Sequence, residues 1–449
     1  MRYAVLVSSL LLGGCLSTGA NFMAPEQPDQ WSAYQSGIVA QADVKALGHW
    51  WEKFNDPTLN QLVLMSLDGS PKRRIAEARI LEARGIRKTA ASSLFPEIGA
   101  SANAGRQDNG ISSAADYYEA KFDASYELDL FGKNRKTVSA ADENIRALEA
   151  QYHNVTLSLI GEIARDYIDY RLYEKQTAIA EENLQVQEKT LELVKYQKEF
   201  GDAPQLDVER AENLVNTTRS SIPEFKRQAE NARLRLSVLT GQLPEKIRAM
   251  LSFGAPIPGA DVQPVIMAPA DVIALRPDIR AAAANLRAST SLKEAATADL
   301  FPKVTLGGFF GVAKGALFSS TSIWNVAAGA AVSILNFGRI QGQIDAAQAI
   351  QMRAYEAYRL SVLQAVTDVE TALSDYAHIH EQSIHLENAY NNAKRAFDLS
   401  KTLYGEGEIS FLDVLVAQKT LNDADSARAK AEAAQSQSLI RLYKSLGVY

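Results

Sequence analysis

From Lys133 to Glu199 the chain carries no proline and a single glycine, Gly161, and from Arg339 to Leu403 it again carries no proline. Proline breaks a helix because it lacks an N–H and its ring collides with the preceding turn, so both stretches can run as unbroken helices. Ile145, Leu148, Tyr152, Val155 and Leu159 recur at spacings of three and four in the first, and Tyr355, Tyr358, Val362, Ala365, Val369, Leu373 and Tyr376 in the second. This is a coiled-coil type of seam, one apolar stripe that must meet neighbouring helices. At 1.5 Å per residue a helix over residues 133–199 is roughly 100 Å long, whereas helices of ordinary globular proteins run to about 8–20 residues. No compact core absorbs such a helix; it needs neighbours of similar length, and the many alanines allow them to approach closely.

The chain is also one unit written twice, at a constant offset of 206 residues. Pro71 matches Pro277, Leu94-Phe95-Pro96 matches Leu300-Phe301-Pro302, and Phe131-Gly132 matches Phe337-Gly338. Asp169-Tyr170 matches Asp375-Tyr376, Gly201 matches Gly407, Leu206-Asp207-Val208 matches Leu412-Asp413-Val414, and Gly241 matches Gly447. The period is far too long for a solenoid. It predicts duplication of a large unit, residues 71–241 and 277–447, joined by a proline-rich linker over 242–276 at mid-height.

Each unit contains a strand section. From Tyr118 to Leu130 the even positions are apolar (Tyr118, Ala120, Phe122, Ala124, Tyr126, Leu128, Leu130) and the odd ones polar (Glu119, Lys121, Asp123, Ser125, Glu127, Asp129). Strict period-two alternation signals a strand with two unlike faces. Strands are expected at about 97–106 and 117–130, and again at about 303–313 and 322–335. In the second unit Val304, Leu306, Gly308, Phe310 and Val312 share one face, as do Trp324, Val326, Ala328, Ala330, Val332 and Ile334. Lengths of 10–13 residues suit a tilted membrane strand, although a soluble sandwich alternates in the same way. Four strands cannot close a barrel, and lipid tolerates no open edge. Either the sheet packs on something within the chain or several chains pool their strands; three would supply twelve. In that case Tyr118, Phe122, Tyr126, Phe310 and Trp324 face lipid, and Glu119, Lys121, Asp123 and Glu127 face water.

The N-terminus reads as an address. Arg2 precedes a short apolar stretch, Ala4 to Leu12, that ends in Leu12-Gly13-Gly14-Cys15. The stretch is too short for a permanent membrane helix. Small residues before a cysteine suit lipoprotein processing, which predicts residues 1–14 as signal peptide, residues 15–70 as a lipid-anchored N-terminal segment, and Cys15 as the lipidated residue. Leu16 in place of Asp after the cysteine suggests passage to the outer membrane. Cys15 is the only cysteine, so no disulfide framework is possible. Removal of residues 1–14 takes away Arg2 and shifts the net charge from −6 to −7, which argues against a nucleic-acid partner.

Four groups of residues resemble the TolC-type outer-membrane factors, specifically the NodT-type efflux lipoproteins. They are Asn21-Phe22 and Pro25 followed by Trp50-Trp51-Glu52-Lys53-Phe54, Asp56-Pro57 and Leu59; Arg276-Pro277-Asp278-Ile279; Phe95-Pro96 with Phe301-Pro302; and Gly407 to Leu415 with Ala417-Gln418. The sequence departs from the family pattern at Asp68-Gly69-Ser70-Pro71-Lys72-Arg73, where an Asn-Pro-Asp helix start is usual. The resemblance implies a mostly α fold with a small membrane β part: a homotrimer whose twelve-stranded β-barrel in the outer membrane continues into a long twelve-helix α-barrel across the periplasm. It further implies docking to a periplasmic adaptor protein and an inner-membrane transporter of the RND class, and no cofactor beyond the lipid on Cys15.

No nucleophile elbow, phosphate loop or other catalytic set occurs, so an enzyme is not expected. His378, Glu381 and His385 share one helical face, with His380 nearby; no third ligand or supporting shell is visible in the sequence, so a solvated face is the expectation. By the resemblance, Leu412 and Asp413, with Leu206 and Asp207 as first-unit counterparts, form a periplasmic gate of apolar and carboxylate rings. Gly201, Asp202, Gly405 and Gly407 form the adaptor-contacting tips. Some relatives place the acidic gate residue where this chain has Val416. The plainer alternative for Leu412 and Asp413 is helix-start residues, Leu for packing and Asp for the helix dipole. The leading functional expectation is a passive exit duct of a small-molecule efflux pump. Two others stand beside it: a duct for type I protein secretion, and a non-conducting coiled-coil scaffold or adaptor lipoprotein.

Overall fold

The computed structural model describes residues 25, 28–33, 40–41, 47–107, 115–251, 254–259, 262–315 and 318–449. Cys15, Asn21 and Phe22 lie outside them. In chain order the elements are β1 (Ala40–Gln41), a 3-10 turn (Trp50–Phe54), α1 (Pro57–Gly69), α2 (Pro71–Ser92), β2 (Glu97–Gln107), β3 (Ala115–Leu128), α3 (Lys133–Glu199) and α4 (Gln205–Thr240). There follow α5 (Pro244–Met250), β4 (Val265–Ile266), α6 (Pro269–Leu275), α7 (Pro277–Ala298), β5 (Lys303–Gly315), β6 (Phe318–Ala331), α8 (Arg339–Gly405) and α9 (Phe411–Ser445). The fold is mostly helical with repeated halves. α3 and α8, which start 206 residues apart, each span 67 residues. The linker is less irregular than its prolines suggest: α5 and α6 each begin with proline at the first helical position, where the missing N–H has no partner to lose.

The chain divides into two compact units. One unit comprises residues 87–143 and 285–359. Its sheet has the order β2-β3-β5-β6, antiparallel throughout. Lys133 donates to Asp299 at 2.6 Å, Lys136 pairs with Glu294, and Arg287 pairs with Glu143 at 2.7 Å, joining α3 to α7. β3 stops at Leu128 and β6 at Ala331, short of the alternation that runs on to Leu130 and Ile334. β5 begins at Lys303, directly after Pro302, which has no N–H to give a ladder; the last pairs are Ala331 with Lys303 and Leu128 with Val304.

The other unit comprises residues 27–86, 144–284 and 360–449. Trp50, Leu59, Leu62, Leu159, Ile163, Tyr167, Leu236, Leu442 and Tyr443 are fully buried in one core, with the Trp50 and Tyr443 rings stacked at 5.6 Å. The motif around Trp50 has a structural reason. Asn55 takes a left-handed conformation that ends the 3-10 turn, Asp56 caps α1 by accepting from the Leu59 N–H at 2.8 Å, and Pro57 opens the helix. The departure at Gly69-Ser70-Pro71 does not disturb the start of α2, which begins at Pro71.

Candidate functional site

Up to the bulge between Ala313 and Gly315, all three strand pairings match even residues with even residues. The ladder Ala100–Phe122–Phe310–Trp324 therefore crosses the whole sheet on one face, with Ile98, Tyr118, Tyr126, Leu306, Val312 and Val326 on the same side. Phe122 is 64% exposed, Phe310 62% and Trp324 72%. An aromatic and aliphatic face this open is not a soluble surface; large exposed apolar patches mark contact with a membrane or a partner. The odd face is different. Lys121 pairs with Glu119 at 2.8 Å and lies 5.2 Å from the Phe309 ring centre, and Ser101 donates to Asp123 at 3.0 Å. Several of its charged side chains are paired within the face, which suits water. β2 and β6 border no other strand among the described residues.

The second candidate region is the pair of turns after the long helices. Gly201 and Gly407 have φ of +84° and +78°. In the first turn the Asp202 N–H reaches the Gln197 carbonyl at 2.9 Å and the Gly201 N–H the Lys198 carbonyl at 3.0 Å. In the second, Glu408 reaches Leu403 at 2.9 Å and Gly407 reaches Tyr404 at 3.1 Å. Both are Schellman caps, which need a left-handed residue and hence glycine. Space around Gly201 and Gly407 is open, so backbone conformation alone explains why both halves carry them. Gly405, by contrast, is the last residue of α8.

The returning helices pack through Val194, Val208, Ala211, Phe411 and Leu415. Leu206 and Leu412 point away from that cluster and are exposed. Leu412 and Val416 line an open groove of about 450 Å³ with Glu209, Arg210, Asn213, Leu214, Leu415 and Lys419; Leu206 is not part of it. Asp207 is paired with Arg210 at 3.3 Å and mostly covered. Asp413 is exposed, and one of its oxygens accepts the Ser410 hydroxyl at 2.6 Å and the Ser410 N–H at 3.0 Å. Those bonds, the hydroxyl's first, hold the Asp413 carboxyl below its ordinary value. What they add to the start of α9 is present above the ordinary carboxylate pKa and is lost as pH falls through the lowered one. Asp413 is thus a helix-start residue whatever else it does.

Sequence reasoning missed two polar knots. Arg276 is buried and donates to the Ser445 carbonyl at 2.9 Å, to Asp368 at 2.8 Å and to both oxygens of Asp278, at 3.0 and 2.6 Å. Its motif was visible, but not Asp368, which lies 92 residues away. Asp56, Tyr167, Arg171, Glu174 and Tyr170 form a second chain of hydrogen bonds of 2.8–3.0 Å in the core. Burial there pushes the Tyr167 hydroxyl up to about 12. His378, Glu381 and His385 are exposed on α8, and His378 Nδ1 lies 2.8 Å from the Ser374 carbonyl. No group of His, Cys, Asp and Glu placed to hold a metal occurs among the described residues, and no described helix is long and apolar enough to cross a membrane.

The outer membrane efflux protein family model matches residues 62–242 and 268–448. The two spans start 206 residues apart, at the offset of the internal repeat. The pyoverdine export outer membrane protein OpmQ of Pseudomonas aeruginosa is 31% identical, over 100% of this chain and 97% of its own length. Nodulation protein T of Rhizobium leguminosarum bv. trifolii is 28% identical, over 100% and 96%. Among solved structures, the outer-membrane channel OprN superposes with a TM-score of 0.89 at 32% identity, covering 94% of this chain and 97% of that one.

Proposed function

The chain belongs to the outer membrane efflux protein family, and we propose that three copies of it close one wall and serve as the exit duct of a tripartite pump. The protein is an efflux channel of a Gram-negative outer membrane, a passive conduit and not an enzyme. The observation that carries the trimer is the sheet: four strands, two open edges and an exposed apolar face. Backbone groups on an open edge cannot be left in hydrocarbon. Three chains bring twelve strands, an even number in the range of closed outer-membrane barrels. A scaffold lipoprotein has no use for such a face. Protein secretion could use the same duct, but OpmQ is named for pyoverdine export, which favours small-molecule efflux.

A conduit has no energy source, so the partners are a periplasmic adaptor, met by the turns at Gly201, Asp202, Gly405 and Gly407, and an inner-membrane RND-type transporter. Leu412 is the apolar gate residue of this reading, supported by its exposure at the start of α9 beside Val416. Asp413, exposed and charged, supplies the carboxylate ring; Asp207 is already neutralised by Arg210, and Leu206 and Asp207 act as the lesser first-half counterparts. Cys15 carries the lipid anchor.

Spin labels placed singly along 118–128 test the wall. Labels at even positions should be accessible to oxygen and those at odd positions to a polar relaxant; a flat profile would reject a membrane strand. For the anchor, palmitate supplied during growth should label the wild type and not Cys15→Ser. Equal labelling of both would contradict the anchor without touching the wall.

A further inference from the structure

A basin of about 510 Å³ opens on the odd face of the sheet, a volume that suits a drug-sized molecule. Two neighbouring rows of the ladder build it. Across the first, Gly99 faces Asp123, Asp123 faces Phe309 and Phe309 faces Asn325; across the second, Glu97 faces Ser125, Ser125 faces Gly307 and Gly307 faces Ala327. Glu97 is the first residue of β2, so the basin lies at the end of the sheet where α2 and α7 lead into the strands.

Two features of the basin have no explanation in the sheet itself. Glycine weakens a strand interior, and it stands there for a bulge, a tight bend or the close approach of a ligand or another backbone. The ladder is regular at Gly99 and Gly307, its shift lying between Ala313 and Gly315, and neither glycine has a positive φ. A Cβ at Gly99 would meet nothing within 4 Å, and one at Gly307 only the Ala124 carbonyl, at 3.9 Å. What the two glycines leave is open floor. The second feature is Phe309, an aromatic ring in two rows whose other members are small or polar.

The charges give the sign of the occupant. Asp123 and Glu97 line the basin, and no lysine or arginine does. Lys121 stands in the row beyond Phe309, facing Gly311, where Glu119 holds it at 2.8 Å and Asp123 at 3.8 Å. Its ammonium lies 5.2 Å from the Phe309 ring centre, so the ring already receives one cation on that side, and the basin opens on the other. We propose that the basin binds organic cations that carry a flat apolar group, which makes such molecules a cargo class of the duct; this rests on the reading above in which the odd face lines the interior. The apolar group lies on the open floor against Phe309, and the charge is drawn to the ring and to the two carboxylates. Asn325 and Ser125 offer hydrogen bonds at the rim. An anion with the same body meets only acidic groups and is turned away.

Photolabelling of the full-length protein in detergent tests it. The probe is benzoylbenzyltrimethylammonium, an aromatic ketone with a fixed positive charge that inserts into nearby C–H bonds under light; benzoylbenzoate carries the same body and a negative charge. Peptide mass spectrometry should place adducts of the cation, and few of the anion, on the strand segments around Gly99, Asp123, Phe309 and Asn325. Gly307→Val fills the floor in a place where the strand has room for it, and labelling in the basin should fall several-fold. Asp123→Asn combined with Glu97→Gln keeps the shape and removes the charge, and should bring the cation down to the level of the anion. Equal labelling by the two probes, adducts only elsewhere, or labelling unchanged in both variants overturns the proposal. The conductance of the trimers is a separate readout. Trimers that pass no current contradict the duct whatever the probe labels, whereas conducting trimers that the cation labels only elsewhere contradict the basin alone.

Discussion

Replacing Arg276 by alanine should destabilise the unit around Trp50 and Tyr443 by about 2–4 kcal/mol. The guanidinium is buried and ties three otherwise separate segments: the Ser445 carbonyl at the end of α9, Asp368 on α8, and Asp278 at the start of α7. Burial alone would lower its pKa, but Asp278 and Asp368 more than offset that and raise it, so the arginine stays charged at any working pH. Removal leaves the Ser445 carbonyl without this donor and two carboxylates without their cation. Asp368 is half exposed, so water takes back part of the loss, and the estimate is held below the full cost of breaking a buried pair. Gly447 backs the arginine with φ of +78°, and a Cβ there would meet Arg276 Cγ at 2.6 Å, so the backbone is shaped around this side chain. Lysine should not rescue, because a single ammonium cannot serve the carbonyl and both carboxylates in their fixed directions. Three of the four tryptophans, Trp31, Trp50 and Trp51, report on this core. Their fluorescence during heating should show a transition lowered by on the order of 10 °C. An unchanged transition would mean the knot adds nothing to stability.

The helices and strands were legible because their periods are set by short-range geometry. The absence of proline over 133–199 leaves the helix nothing to stop it, and the alternation from Tyr118 onward admits one face in lipid and one in water. The recurrence of Leu-Phe-Pro was legible as a repeat but not as a strand boundary; that required knowing that Pro302 directly precedes Lys303, the partner of the last residue of β6. Overlong strands in the reading have the same origin, since alternation marks a face and not the partner that completes the ladder.

The tip shows both sides of this limit. Gly201 and Gly407 could be singled out by their recurrence, and the left-handed caps supply the reason. Leu206-Asp207 and Leu412-Asp413 look equivalent in sequence, yet Asp207 pairs with Arg210 while Asp413 binds Ser410. The difference lies in residues three positions away on opposite sides. Long-range polar contacts left no trace at all: Glu370 accepts the backbone N–H groups of Ser32 and Ala33 at 2.6 and 2.8 Å. A carboxylate that meets main chain more than three hundred residues away is matched to no side chain a reader could look for.

The proposed duct makes its most direct demand on conduction. Leu412 stands exposed at the first turn of α9, with Val416 one turn on. Three such leucines facing one another would close a pore by packing and by excluding water. Shrinking the side chain to alanine should widen and wet that constriction while leaving the Ser410–Asp413 cap untouched. The measurement is the conductance of purified trimers in planar bilayers, with no adaptor or transporter present. Wild-type trimers should conduct in small discrete steps with a preference for cations, and Leu412→Ala trimers should conduct several-fold more. Trimers of both proteins that insert into the bilayer and pass no current would contradict the duct.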